Sequence, residues 1–218
     1  MRTEVRRAAV WDLPVRASHW LLAVLIPFSW WSATNDHLPW HRLSGYTILG
    51  LLVFRLVWGF IGSPTARFGQ VLRGPRGVMA YLGGKAAPVV GHNPLGGWSV
   101  VAMLAVLAGQ VGLGLFSVDE DSIEAGPLSK FVSFDASRAI AHLHAQLFLV
   151  LLGLIGLHVA AIAVYGLRRK NLVGPMVSGA ATLAEGAEAR PLAPAWRVLP
   201  AAALAAAAAW FVAHGLRL

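Results

Sequence analysis

The sequence predicts an all-α protein, an integral membrane bundle of helices, and three observations predict it. Only 13% of the 218 residues are charged and 57% are hydrophobic, against about 25% and 45–50% in soluble domains. The apolar residues gather in five stretches, each approaching the roughly 20 residues that cross a bilayer. Loops rich in basic residues alternate with loops that hold the acids. One compact bundle fits this length better than several domains.

The first stretch runs from about Ser18 to Ala33, rich in Leu and Trp and carrying Pro27. The second runs from about His41 to Ile61, and the third from Trp98 to Phe116. The fourth, Ala139 to Leu167, is long enough to project beyond the hydrocarbon. The fifth, Trp196 to Ala213, is Ala-rich. Trp30, Trp31, Trp40, Trp58, Trp98, Trp196 and Trp210 fall near the expected helix ends, where indoles anchor at the interface. The basic start lacks a small-residue cleavage pattern behind its apolar run, so the first stretch is expected to be a retained helix.

Loop charge sets the orientation. Arg2, Arg6, Arg7 and Arg16 precede the first helix. Arg67, Arg73, Arg76 and Lys85 lie between the second and third without an acid among them, and Arg168-Arg169-Lys170 follows the fourth. The alternate loops carry Asp36, and Asp119-Glu120-Asp121 with Glu124. Positive charge stays inside, so the N-terminus is expected to be cytoplasmic and the acidic loop external. Five crossings would leave His214 and Arg217 outside. The net charge of +8 then reflects cytoplasmic loops and contact with anionic membrane lipid, and no nucleic-acid partner is expected.

With no cysteine, the chain has no disulfide, thiolate site, iron–sulfur cluster or covalently attached haem. Metal chemistry falls to the eight histidines, because Met79, Met103 and Met176 read as loop or packing residues. His144 and His158 are 14 residues apart in the fourth helix. That spacing places them within about 40° on one face and about 21 Å apart along the axis. It suits one haem near each membrane surface. Gly153 and Gly156 lie between them, where a porphyrin or another helix could approach closely.

A b-type haem needs a second axial histidine from another helix. The topology puts His19 level with His158 on the inner side, and His41 level with His144 on the outer side. The expected pairs are therefore His19–His158 and His41–His144. His142 is an alternative to His144, but it lies about 200° around the helix. His37, His92 and His214 read as interfacial or solvated residues, although His37 or His92 could touch a quinone. Arg55 follows His41 by 14 residues, on the same face. It either meets a haem propionate or snorkels to the interface, and Arg16 and Arg42 are further candidates near propionates. No catalytic residue is assigned.

Several runs carry a resemblance. They are Trp11-Asp12-Leu13-Pro14-Val15-Arg16-Ala17-Ser18-His19-Trp20; His41-Arg42-Leu43-Ser44-Gly45-Tyr46 leading to Phe54-Arg55-Leu56-Val57-Trp58-Gly59; Gly91-His92-Asn93-Pro94-Leu95-Gly96-Gly97-Trp98; and Leu157-His158-Val159-Ala160-Ala161. Together the chain from about 8 to 178 resembles the bacterial cytochrome b561 / nickel–iron-hydrogenase b-type cytochrome family. Many members carry Glu where Ala145 follows His144. The resemblance implies a four-helix di-haem core over 18–170, with axial ligands at His19, His41, His144 and His158. That core lies between a cytoplasmic segment, 1–17, and a small linker, 171–195, before an extra C-terminal transmembrane helix over 196–218.

The resemblance also implies electron exchange between the quinone pool of the bacterial inner membrane and a redox partner protein. That partner could be a hydrogenase-type subunit, with this chain as membrane anchor of a larger enzyme. The chain could instead be a standalone quinone oxidoreductase acting on a small species such as superoxide. The acidic outer loop suits either a basic cytochrome c or plain solvation, and a homodimer stays open. The rival class is a haem-free scaffold or transporter subunit. Few buried acids and no inverted repeat weigh against a proton-coupled transporter.

Overall fold

Short polar side chains decide where the long helices begin. The computed structural model describes residues 7–86, 90–119, 121, 124–183 and 190–216. Arg2, Arg6, Glu120, Arg217 and part of the expected linker, 184–189, lie outside the described residues. The order along the chain is β1 (Arg7–Ala9), α1 (Leu13–Thr34), α2 (Leu38–Ile61), α3 (Phe68–Val71), α4 (Pro75–Leu82), α5 (Pro94–Phe116), α6 (Phe134–Leu167), α7 (Val173–Ser178), β2 (Ala180–Thr182) and α8 (Val198–Ala213).

Asp12 Oδ1 accepts the amide of Val15 at 2.8 Å, Asn93 Oδ1 that of Gly96 at 2.7 Å, and Ser133 Oγ that of Ala136 at 3.2 Å. Each cap satisfies one of the four amide donors that a helix start leaves open. These caps start α1, α5 and α6 earlier than the apolar runs from Ser18, Trp98 and Ala139. Pro94 at the first position of α5 adds the backbone angle that a helix start prefers. Ahead of α2 the chain turns sharply, with Asp36 in the left-handed region at φ 59°.

Among the described residues, four helical stretches are long and apolar enough to cross a membrane: α2, α5, α6, and Ala195–Ala213, which is α8 with the helical turn before it. Five were expected. The shortfall is α1, whose 22 residues suffice in length but include three Trp, two Pro, three Ser and Arg16, which lower its mean hydropathy. In the most apolar stretch of α6 only 6% of residues are buried inside the molecule. Leu149, Leu152, Leu157 and Val159 all face outward there. Large side chains exposed along so long an apolar helix need hydrocarbon around them.

The chain divides into two compact units. The first comprises Met1–Ser18, Arg55–Ala102 and Gly156–Val198; the second comprises His19–Phe54, Met103–Ile155 and Leu199–Leu218. In the first unit β1 pairs antiparallel with β2, Ala8 opposite Ala181. The expected linker is thus ordered at its start, with α7 ending at Gly179 in the left-handed region at φ 85°. The carbonyl of Gly179 accepts the amides of Val10 and Trp11 at 2.8 and 3.1 Å. Trp58, 1% exposed, donates its indole N–H to Asp12 Oδ2 at 2.9 Å. Gly97 lets α5 meet α3, since a Cβ there would run into the carbonyl of Val71. In the second unit Ile48, Leu52, Leu107 and Leu151 form a buried core, with Leu22, Leu25, Ile26 and Phe148 packed against it. That core draws on α1, α2, α5 and α6.

Candidate functional site

The second unit brings two histidines together. His41 sits in the first turns of α2 and His144 on α6, with ring centres 6.0 Å apart and ring planes 85° to one another. His41 Nδ1 lies 2.8 Å from the carbonyl oxygen of Ser29 on α1 and 3.1 Å from the Ser29 hydroxyl. His144 Nδ1 lies 2.9 Å from the carbonyl oxygen of Gln110 on α5. A carbonyl only accepts, so in both rings Nδ1 carries a hydrogen, the tautomer that in a neutral imidazole leaves the lone pair on Nε2. The His144 Nε2 is 3.3 Å from the side-chain nitrogen of Gln110, whose amide oxygen is buried without a hydrogen-bond partner among the described residues. Gly114 makes room for the ring: a Cβ there would stand 3.0 Å from the His144 imidazole.

His142, the alternative, is exposed. It is His144 that stands beside His41. The other expected pair divides between the units. His19 lies in the second unit with its ring edge-on to Trp20, centres 5.0 Å apart. His158 lies half-buried on α6 in the first unit. No atom lies within 4 Å of where a Cβ would stand at Gly153 or Gly156, so no helix packs on either glycine among the described residues. His92 lies against Trp11, ring centres 4.6 Å apart, and His37 against Trp31 at 5.4 Å. His214 Nδ1 hydrogen-bonds the carbonyl of Trp210 at 2.7 Å.

The three arginines differ. Arg55 is 7% exposed in the first unit, with its guanidinium 5.4 Å from the centre of the Phe68 ring. Its Nη1 is buried with no hydrogen-bond partner among the described residues. Asp12, 5% exposed, lies within electrostatic reach of it. Arg16 donates through Nη1 to the carbonyl of Val177 at 2.5 Å, and its Nε is buried without a hydrogen-bond partner among the described residues. Arg42 forms an ion pair with Glu124, so an acid of the loop between α5 and α6 is engaged within the chain. That loop is closed by a bridge between Val118 and Ala125.

Residues 10–179 match the family described as prokaryotic cytochrome b561. The chain belongs to the prokaryotic cytochrome b561 family. Membrane electron transfer by a b-type cytochrome is what that membership means for its function. No curated protein and no solved structure gave a match. The apolar helices of this cytochrome, long enough to cross a bilayer, agree with a membrane family.

Sequence reasoning missed Asp12 as a buried acid, and Ser29 and Gln110 as partners of the histidines. A signal existed for Gln110, the only polar side chain between Ser99 and Ser117 in an otherwise apolar run. Ser29 gave a fainter one. Its backbone carbonyl makes the closer contact with His41, and a carbonyl leaves no trace in residue type.

Proposed function

We propose that this cytochrome binds two non-covalent b-type haems and carries electrons across the bacterial inner membrane, between the quinone pool and a redox partner protein. The observation that carries the reading is the His41–His144 pair. Two imidazoles that face each other across one metal, each bound through nitrogen at about 2 Å, have ring centres about 6 Å apart, and these stand at 6.0 Å. Both rings turn Nδ1–H to a backbone carbonyl, the outer hydrogen bond that metal-binding histidines use to fix tautomer and orientation. The donor set fits the group.

His41 and His144 would hold one haem, and His19 with His158 the other. Haem iron supplies one-electron chemistry when bound. The carbonyls of Ser29 and Gln110 hold the rings in one tautomer and raise the basicity of Nε2. The unpartnered Nη1 of Arg55 would pair with a propionate, because a buried guanidinium calls for an anion at hydrogen-bond range. Arg16 would act likewise through its buried Nε.

Charge supports a cytoplasmic N-terminus. Among the described residues of the first unit, Asp12 is the one acid against twelve basic residues. The second unit holds Asp36, Asp119, Asp121, Glu124 and Asp135. Reporter fusions in the loops around Lys85 and Asp121 test that orientation.

The decisive measurement is a reduced-minus-oxidised spectrum of the purified protein, with haem counted per chain. About two haems are expected, and replacing His158 with Ala should remove one. Retention of both haems in that variant would sink the assignment. A subunit that stays bound through purification would mark the chain as the anchor of a larger enzyme.

A further inference from the structure

The short helix α4 turns its apolar side outward. Met79 and Leu82, three residues apart and so on one face, are 71% and 68% exposed. The opposite side is docked. Tyr81 shares a 2.8 Å hydrogen bond with the hydroxyl of Tyr165, near the end of α6, and Asn93 at the start of α5 donates to the same hydroxyl at 2.9 Å. The indole of Trp98 donates to the carbonyl of Arg73 just before α4, at 2.8 Å. Within the first unit, α4 is therefore held beside the ends of two long apolar helices. Arg73, Arg76 and Lys85 are exposed along its flank, and residues 62–93 contain no acid.

An outward apolar face rimmed by cations, fastened beside the ends of membrane-crossing helices, matches a helix lying in the headgroup layer. We infer that α4 is an interfacial helix that binds the anionic phospholipid surface: Met79 and Leu82 enter the acyl boundary, and Arg73, Arg76 and Lys85 pair with headgroup phosphates. An acidic protein surface could satisfy the cations, but it would leave two large apolar side chains without their match. The inference does not depend on how haem is bound.

The chain has no cysteine, so Met79→Cys and, separately, Leu82→Cys give single sites for a nitroxide label. The full-length, haem-loaded protein is placed in nanodiscs of phosphatidylcholine alone or with phosphatidylglycerol. Collision with oxygen, which concentrates in the bilayer, is compared with collision with a water-soluble nickel chelate. The expected result is an excess of oxygen collisions at both sites in the anionic discs. That excess should be lost in the Arg73→Gln, Arg76→Gln, Lys85→Gln background. Equal nickel access in every disc would overturn the inference, since α4 would then lie in water. So would an oxygen excess indifferent to phosphatidylglycerol and to the three cations. Protection from both reagents by a bound subunit would likewise overturn it, assigning the face to a protein.

Discussion

The indole N–H of Trp58 and the amide of Val15 converge on the two carboxylate oxygens of Asp12, at 2.9 and 2.8 Å. One buried acid thus caps α1, ties it to α2 within the first unit, and sets a negative charge near Arg55. Replacing Asp12 with Ala removes a cap of about 1 kcal/mol and a charged hydrogen bond of about 1.5–3 kcal/mol. Asp12→Ala is expected to destabilise the protein by about 2.5–4 kcal/mol, read as a lower midpoint of thermal unfolding in detergent. Trp58→Phe combined with Asp12→Ala should cost less than the two losses added, because they share one bond. Strict additivity would show that the Asp12–Trp58 bond contributes nothing.

His142 and His144 differ in position by two residues and in surroundings completely. His144 is pinned by the Gln110 carbonyl beside His41, and His142 is exposed. Haem counted per chain should fall by about one in His144→Ala and stay unchanged in His142→Ala, since a haem with one axial histidine removed is poorly held. The reverse result would move the ligand to His142 and leave the His41–His144 contact as packing.

Much of this was legible in the residues because periodicity survives without a structure. The spacing of His144 and His158 and the apolar runs of α2, α5 and α6 follow from helix geometry, and the alternation of loop charge is read directly from residue type. The helix starts were less so, because the caps at Asp12, Asn93 and Ser133 stand ahead of the apolar runs that mark the helices. The pairing of β1 with β2 joins residues about 170 apart in sequence, beyond any local pattern. A partner that makes its closer contact through the backbone, as Ser29 does toward His41, leaves little trace in residue type.

Gly97 and Gly153 should respond oppositely to the same change. A Cβ at Gly97 meets the backbone carbonyl of Val71, which cannot turn aside, whereas one at Gly153 meets nothing within 4 Å. Gly97→Ala is expected to cost about 1–3 kcal/mol, as overpacking does. Gly153→Ala should leave the unfolding midpoint of the haem-free protein level or raise it, by up to about 1 kcal/mol of helix propensity. A thermally silent Gly97→Ala would mean that α3 moves away freely from α5.

Tyr81 gives the fold an alkaline limit. Its hydrogen bond to Tyr165 holds the proton, with partial burial adding to the effect, so the phenol ionises above its ordinary range. A phenol whose pKa is raised in the fold stabilises the fold fully below its unfolded pKa, about 10. That stabilisation is lost as pH rises through the folded value. The unfolding midpoint of the wild type should therefore decline above about pH 10, and part of that decline should vanish in Tyr81→Phe, which has no proton to lose. The comparison needs only the two melting curves taken at matched pH steps. Parallel declines in the two proteins would place the alkaline sensitivity elsewhere and reduce the Tyr81–Tyr165 bond to a contact without thermodynamic weight.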